Sequence, residues 1–272
     1  MTNKKNKKHA KIKKSIGLVF GLLVAFVAVY PCAILVYKAF WADNGLGEMT
    51  FSPAELARTV FLSDLFWEGV GGTLYYVFFI TLPQVAIGTV MAFVFAKFTF
   101  RFKNTILFVY VLLLLMPFQV LMVPSYLTLK TLGLIDTAGA VILPQIFLPF
   151  GVLFLRYLMA KIPNSIIDAA KIDGASSVRI FFDIIIPSVK NGIILLFFFS
   201  FVDNWNLVEP IIMFNREGRM KTLTVIMRGV MENAPESAFA AGLIYMLPAV
   251  IIFVLVRKSV ILGMDLEGVE QK

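Results

Sequence analysis

The 272 residues are 59% hydrophobic and only 15% charged, with a mean hydropathy of +0.86. Soluble domains average about 45–50% apolar and about 25% charged residues, so this composition excludes an ordinary soluble globule and points to the bilayer as solvent. The net charge of +8 is concentrated ahead of the first apolar run, in seven lysines between Lys4 and Lys14, which reads as a cytoplasmic topology anchor rather than a nucleic-acid surface.

Single residues remove further classes. Cys32 is the only cysteine, so no intrachain disulfide forms, and His9 is the only histidine, which rules out a His-based metal site or catalytic triad. No glycine is followed by lysine, so the chain lacks a phosphate-cradling P-loop. Any ATP hydrolysis, with its Mg, therefore belongs to a partner, and no cofactor is expected on this chain.

In chain order, a basic tail (1–15) leads into a region of six apolar runs (16–262) and a short C-terminal tail (263–272). The runs are Ile16–Tyr37, Val70–Ala96, Thr105–Leu129, Ala138–Leu158, Gly192–Phe214 and Phe239–Val256. Each suits a hydrocarbon core of about 30 Å, which takes about 20 helical residues. The first run is longer than the core of a signal peptide and no small-x-small site follows it, so it is read as a retained span. With the N-terminus inside, 18 lysines and arginines fall on the inner side and 7 on the outer, which places both termini in the cytoplasm. The fold class is all-α: an integral, multi-pass protein of the plasma or inner membrane.

The outer loop from Trp41 to Glu68 holds five acidic residues and one arginine, as a solvated extracytoplasmic segment would. The inner loop 159–190 reads as two short helices with a stop between them. Pro163 suits a first helical position, and Asn164 or Ser165 can satisfy first-turn amides. Gly174 can take the left-handed conformation that ends a helix, Ser176 or Ser177 can cap the next, and Pro187 closes that second helix before the fifth span. Such a small-faced cytoplasmic helix suits docking into a groove on another protein, or lying at the lipid interface.

Asp203, Asn204, Trp205, Asn206 and Glu209 interrupt the fifth run. Counted from Asn191, Asp203 falls about 18 Å along the helix, near the bilayer centre, where a carboxylate must face protein or water. The cluster either lines a wet pathway, offering acceptors to hydroxyls and an indole to a sugar face, or holds helices together by hydrogen bonds. Gln119, Tyr126 and Gln145 are further candidates in other spans. Beyond the fifth run, Arg216, Arg219, Lys221 and Arg228 oppose the positive-inside trend.

The inner loop carries a resemblance. Asp168-Ala169-Ala170, then Asp173-Gly174-Ala175, then Ile186-Pro187 is similar to the EAA signature of permease subunits of binding-protein-dependent ABC importers. Ala92-Phe-Val-Phe-Ala-Lys-Phe-Thr-Phe-Arg101, Leu132-Gly-Leu-Ile-Asp-Thr137, Asp203-Asn-Trp-Asn206, Pro248 and Gly263 resemble the carbohydrate branch, in its smaller six-span permease of the maltose type. The likeness runs from about Gly72 to Gly263. It implies the type I permease fold and a role as half of a translocation pathway for a sugar. The implied partners are a second permease in a heterodimer, two nucleotide-binding ATPase subunits and an extracellular or periplasmic solute-binding protein. The signature loop would be the coupling helix, with Asp168 meeting a basic group of the ATPase and Gly174 ending the helix sharply enough to fit its cleft. Asp168 departs from the family's usual Glu, and Asp265–Glu270 departs from its Gly/Ala-rich ending. Arg216, Arg219 and Lys221 would face the binding protein. The same machine carrying glycerol phosphate is the alternative cargo. An enzyme using Asp203 with Glu209, or a channel, fits the residues less well.

Overall fold

The structure, a computed structural model, describes residues 2–43, 49–51, 53, 64–217, 220–233 and 235–264. Arg219 and residues 265–272 of the C-terminal tail lie outside the described residues. The chain forms two compact units: residues 1–63 with 227–246, and residues 64–226 with 247–272.

In the first unit, α1 (Thr2–Phe40) runs unbroken from the basic tail through the first span. Residues 17–33 are exposed throughout, as expected of a helix whose apolar side chains face lipid. A three-residue ribbon follows, β1 (Trp41–Asp43) antiparallel to β2 (Met49–Phe51), with Trp41 opposite Phe51 and their rings 6.0 Å apart, edge to face. This ribbon is the one element the all-α expectation omits, and its aromatic cross-strand pair accounts for it.

The second unit is built around α2 (Asp64–Lys97), a 34-residue helix that packs against three later helices. The chain continues through α3 (Lys103–Leu115), α4 (Phe118–Thr131), α5 (Ala138–Gln145), α6 (Pro149–Ala160), α7 (Asn164–Ile172), α8 (Ser177–Ile180), a π-helical turn (Phe181–Ile185), α9 (Ile186–Trp205) and α10 (Glu209–Phe214). Then come α11 (Leu223–Asn233) and α12 (Pro235–Met264), both shared between the units. Helices α5, α6 and α9 surround α2, and α3 leans on α6.

Five described helices or helix pairs are long and apolar enough to cross a membrane, and a sixth span exists if the bent pair α3–α4 counts as one. That pair covers the apolar run 105–129, and its halves meet at 105°. Pro117 removes a backbone donor and pushes Met116 into an extended conformation (φ −77°, ψ 122°), which ends α3 there. The fifth span also differs. It runs Ser177–Trp205 rather than 192–214, so Asp203 stands near the far end of its helix and not at its middle. Pro187 does not close a helix, because the chain passes it in the first turn of α9. Its missing amide and bulky ring are absorbed by the π turn just before it and by a kink at Val189 (φ −112°, ψ 16°).

The topology gives a direct test. In a Cys32-free background, Arg216→Cys should react with an impermeant thiol reagent applied to intact cells. Ser177→Cys should react only after permeabilisation, and the reverse pattern would invert the orientation.

Candidate functional site

Two regions gather the candidate residues, one at each end of the second unit's core. The first is the cytoplasmic turn around α7. Pro163 occupies the N-cap position rather than the first helical one, and neither Asn164 nor Ser165 caps the helix. Asn164 instead accepts from Lys97: the ammonium at the end of α2 donates to Asn164 Oδ1 at 3.1 Å and to the Ile162 carbonyl at 2.6 Å. Lys97 thus pins the start of α7, a role the sequence did not single out.

The stop at Gly174 has the expected form. Its φ of +81° is left-handed; its amide donates to Lys171 O at 3.0 Å, and Ala175 N donates to Ala170 O at 2.9 Å. This paired pattern is a Schellman motif, which only glycine enters without a steric penalty. Ser176 then caps α8 by accepting from Arg179 N. Ile167, 5% exposed, anchors α7 in the core, where Ala170 and Ala175 also pack. The outward face carries Asp168, Ala169 and Asp173, together with Ile172 at 87% exposure. The sequence reading did not single out Ile172, because helical spacing alone assigned it no face. Asp168 pairs with Lys171 at 3.3 Å, an exposed ion pair worth about 0–1 kcal/mol and easily exchanged for another cation.

The second region lies where α9 ends. Residues Leu196, Phe199, Ser200, Val202, Asp203 and Asn206 form one wall of an open groove of about 460 Å³, faced by Leu148 and Phe150. Asp203 and Asn206 are exposed. The Ser200 hydroxyl is buried and has no hydrogen-bond partner among the described residues. Glu209, the exposed first residue of α10, places a second carboxylate at this end of the bundle.

The other polar candidates go elsewhere. Asn204 is 1% exposed and its amide donates to Thr81 Oγ1 (3.0 Å) and Gln84 Oε1 (2.9 Å) on α2. Gln84 in turn donates to the Gln145 carbonyl at the end of α5, so it is the backbone of Gln145 that takes part. Trp205 is buried, stacked on Phe201 at 5.6 Å. Tyr126 packs on a cluster formed by Tyr76, Leu129 and Phe214, while Gln119 is exposed at the start of α4. Of the eight pathway candidates, the groove holds Asp203 and Asn206.

Beyond α10, the described part of the outer segment is fastened to α2. Asn215 donates to the Tyr76 hydroxyl (2.9 Å) and to Met220 O (3.0 Å), and the Thr73 hydroxyl accepts from Leu223 N. Gly72 lies directly against the Lys221 carbonyl, leaving no room for a Cβ. Arg216 and Lys221 are exposed on this fastened stretch.

These features define a class: a polytopic helical membrane subunit with a cytoplasmic helix shaped to present one face, and a polar groove at the other end of its core. Comparison with known proteins gives the family. Residues 84–261 match the binding-protein-dependent transport system inner membrane components, and the chain belongs to that family. It is an inner-membrane permease subunit of an ABC importer, not an enzyme. It is 26% identical over 270 residues to the arabinooligosaccharides transport system permease protein AraQ of Halalkalibacterium halodurans, covering 94% of this chain and 95% of that one. It is 25% identical over 262 residues to the sn-glycerol-3-phosphate transport system permease protein UgpE of Shigella flexneri, covering 91% and 90%. In fold it resembles a bacterial ABC transporter involved in the import of the acidic polysaccharide alginate, known from its crystal structure. The TM-score is 0.78 at 18% identity, with 91% of this chain and 96% of that chain covered.

Two substitutions test the geometry. Asn204→Leu removes two interhelical hydrogen bonds worth about 0.6–1.7 kcal/mol each in membranes and should lower the melting temperature in detergent by a few degrees. Gly72→Ala should leave the bundle folded but increase protease cleavage near Lys221, because the backbone at Lys221 must move away from α2.

Proposed function

We propose that this permease forms half of a pathway for a neutral sugar or short oligosaccharide. It would pair with a second permease and couple through α7 to two ATPase subunits that bind ATP and Mg. An external solute-binding protein would deliver the cargo. The observation that carries the cargo class is the groove. It offers a carboxylate and an amide to sugar hydroxyls, with Phe150 and Phe199 available to an apolar sugar face, and no lysine or arginine lines it. Two carboxylates, Asp203 and Glu209, at this end of the bundle disfavour an anionic cargo. A neutral arabino-oligosaccharide, as in the name of the AraQ relative, fits this charge; glycerol phosphate, as in the name of the UgpE relative, does not.

The coupling reading is supported by the exposed face of Asp168, Ala169, Ile172 and Asp173 and by the sharp stop at Gly174. Leu196 belongs to the same packed core as Ile167 and also borders the groove, so a displacement of α7 has a contiguous route to the pathway. Arg216 and Lys221, with Arg219, would meet the binding protein on the opposite side. Their charges would mainly speed encounter, and the effect would weaken with salt.

Two measurements check this. In proteoliposomes holding the assembled importer, binding protein loaded with neutral oligosaccharide should drive uptake. Asp203→Asn should slow uptake about tenfold, the loss of roughly 1.4 kcal/mol of transition-state stabilisation. Uptake of glycerol phosphate but of no neutral sugar would reverse the cargo assignment. Separately, Gly174→Leu, Asp168→Lys and Ile172→Glu should each leave the permease inserted but prevent ATPase subunits from co-purifying. Normal uptake in all three would remove α7 from the coupling step.

A further inference from the structure

A cavity of about 550 Å³ opens at the cytoplasmic end of the second unit, between the α2–α3 turn and α6. Its polar lining is Thr99, Lys103, Asn104, Thr105 and Arg156, and no carboxylate lines it. Arg156 stands one turn before the end of α6. Its Nε is buried with no partner, and among the described residues it has no ion pair. The carboxylates of the neighbouring cytoplasmic helices pair elsewhere, Asp168 with Lys171 and Asp183 with Arg179. The nearby cation Lys97 is committed to Ile162 O and Asn164.

A guanidinium drawn partly out of water without a counter-ion is costly unless an anion shares the site. Its planar fork suits a phosphate, which accepts two parallel hydrogen bonds. Lys103, whose ammonium also donates to the Phe98 carbonyl at 2.9 Å, adds a second cation to the lining. Lys103 opens α3, where Phe102 turns the chain at φ 65° and no side chain caps the helix, so the positive end of its dipole adds to the field. Thr99, Asn104 and Thr105 supply hydroxyl and amide donors. From the mouth of the cavity, α3 presents exposed Phe102, Ile106, Phe108 and Val109, an apolar surface suited to acyl chains.

We propose that this cavity binds a phosphate group at the inner face of the membrane, the headgroup phosphate of an anionic phospholipid being the source that the flanking apolar helix fits. The site shares no lining residue with the groove or with α7 and does not depend on the cargo. Native mass spectrometry of the full chain, delipidated in mild detergent and titrated with phosphatidylglycerol, tests it. The wild type should retain one phosphatidylglycerol under conditions that strip phosphatidylcholine. Arg156→Gln and Lys103→Gln should each weaken that retention about tenfold, and Arg156→Lys should restore most of it. Lys190→Gln, outside the cavity, should change nothing. A separate arm adds inorganic phosphate: displacement of the lipid at millimolar concentration assigns the site to free phosphate, and persistence assigns it to the headgroup. If Arg156→Gln does not fold, Lys103→Gln decides alone. Equal phosphatidylglycerol retention by wild type and Lys103→Gln would overturn the proposal.

Discussion

A single buried amide organises the groove end of this bundle. In lipid, polar side chains have no water to fall back on, so each one inside the core must find a protein partner. Asn204 finds Thr81 and Gln84 on α2, and Gln84 reaches the backbone at the end of α5, which ties α9, α2 and α5 together at one level. The tie also sets the rotation of α9. With Asn204 turned inward, Leu196, Phe199, Ser200, Asp203 and Asn206 fall three or four residues apart along a different face, the face that lines the groove. The carboxylate stays accessible because its neighbour is held.

The opposite end depends on charge and backbone geometry more than on apolar packing. Lys97 closes the gap between α2 and the start of α7, and the glycine stop turns the chain back before it can extend the helix past Ile172. Between these fasteners Ile167 and Ala170 sit in the same core as Ile185, Val189 and Leu196. The turn around α7 therefore shares one packed core with α9.

Composition and run length made the membrane class and the number of apolar segments legible, because burial in lipid imposes uniform hydrophobicity over a fixed length. The helix stop at Gly174 and the cap at Ser176 were legible because each needs a particular residue type at one position. What stayed hidden depends on which way a helix is rotated. Asn204 and Asp203 are adjacent and equally polar, and nothing local says that one points to α2 and the other to the groove. Ile172 looks like any core isoleucine until α7 is docked. The break at Pro117 was visible as a proline, but prolines at 83 and 248 sit inside unbroken helices, so the residue alone does not distinguish a kink from a corner.

The π turn at Phe181–Ile185 has a consequence of its own. Such a turn holds one residue more than an α-helix of the same span, so it behaves as a single-residue insertion spliced into the connection between the cytoplasmic turn and α9. Deleting one residue there leaves an ordinary α-helix of the same span, whereas a deletion in the α-helical stretch on either side turns its two ends by about 100° relative to one another. The π turn is thus a place where this connection can lose a residue while keeping the phase between the outer face of α7 and the groove.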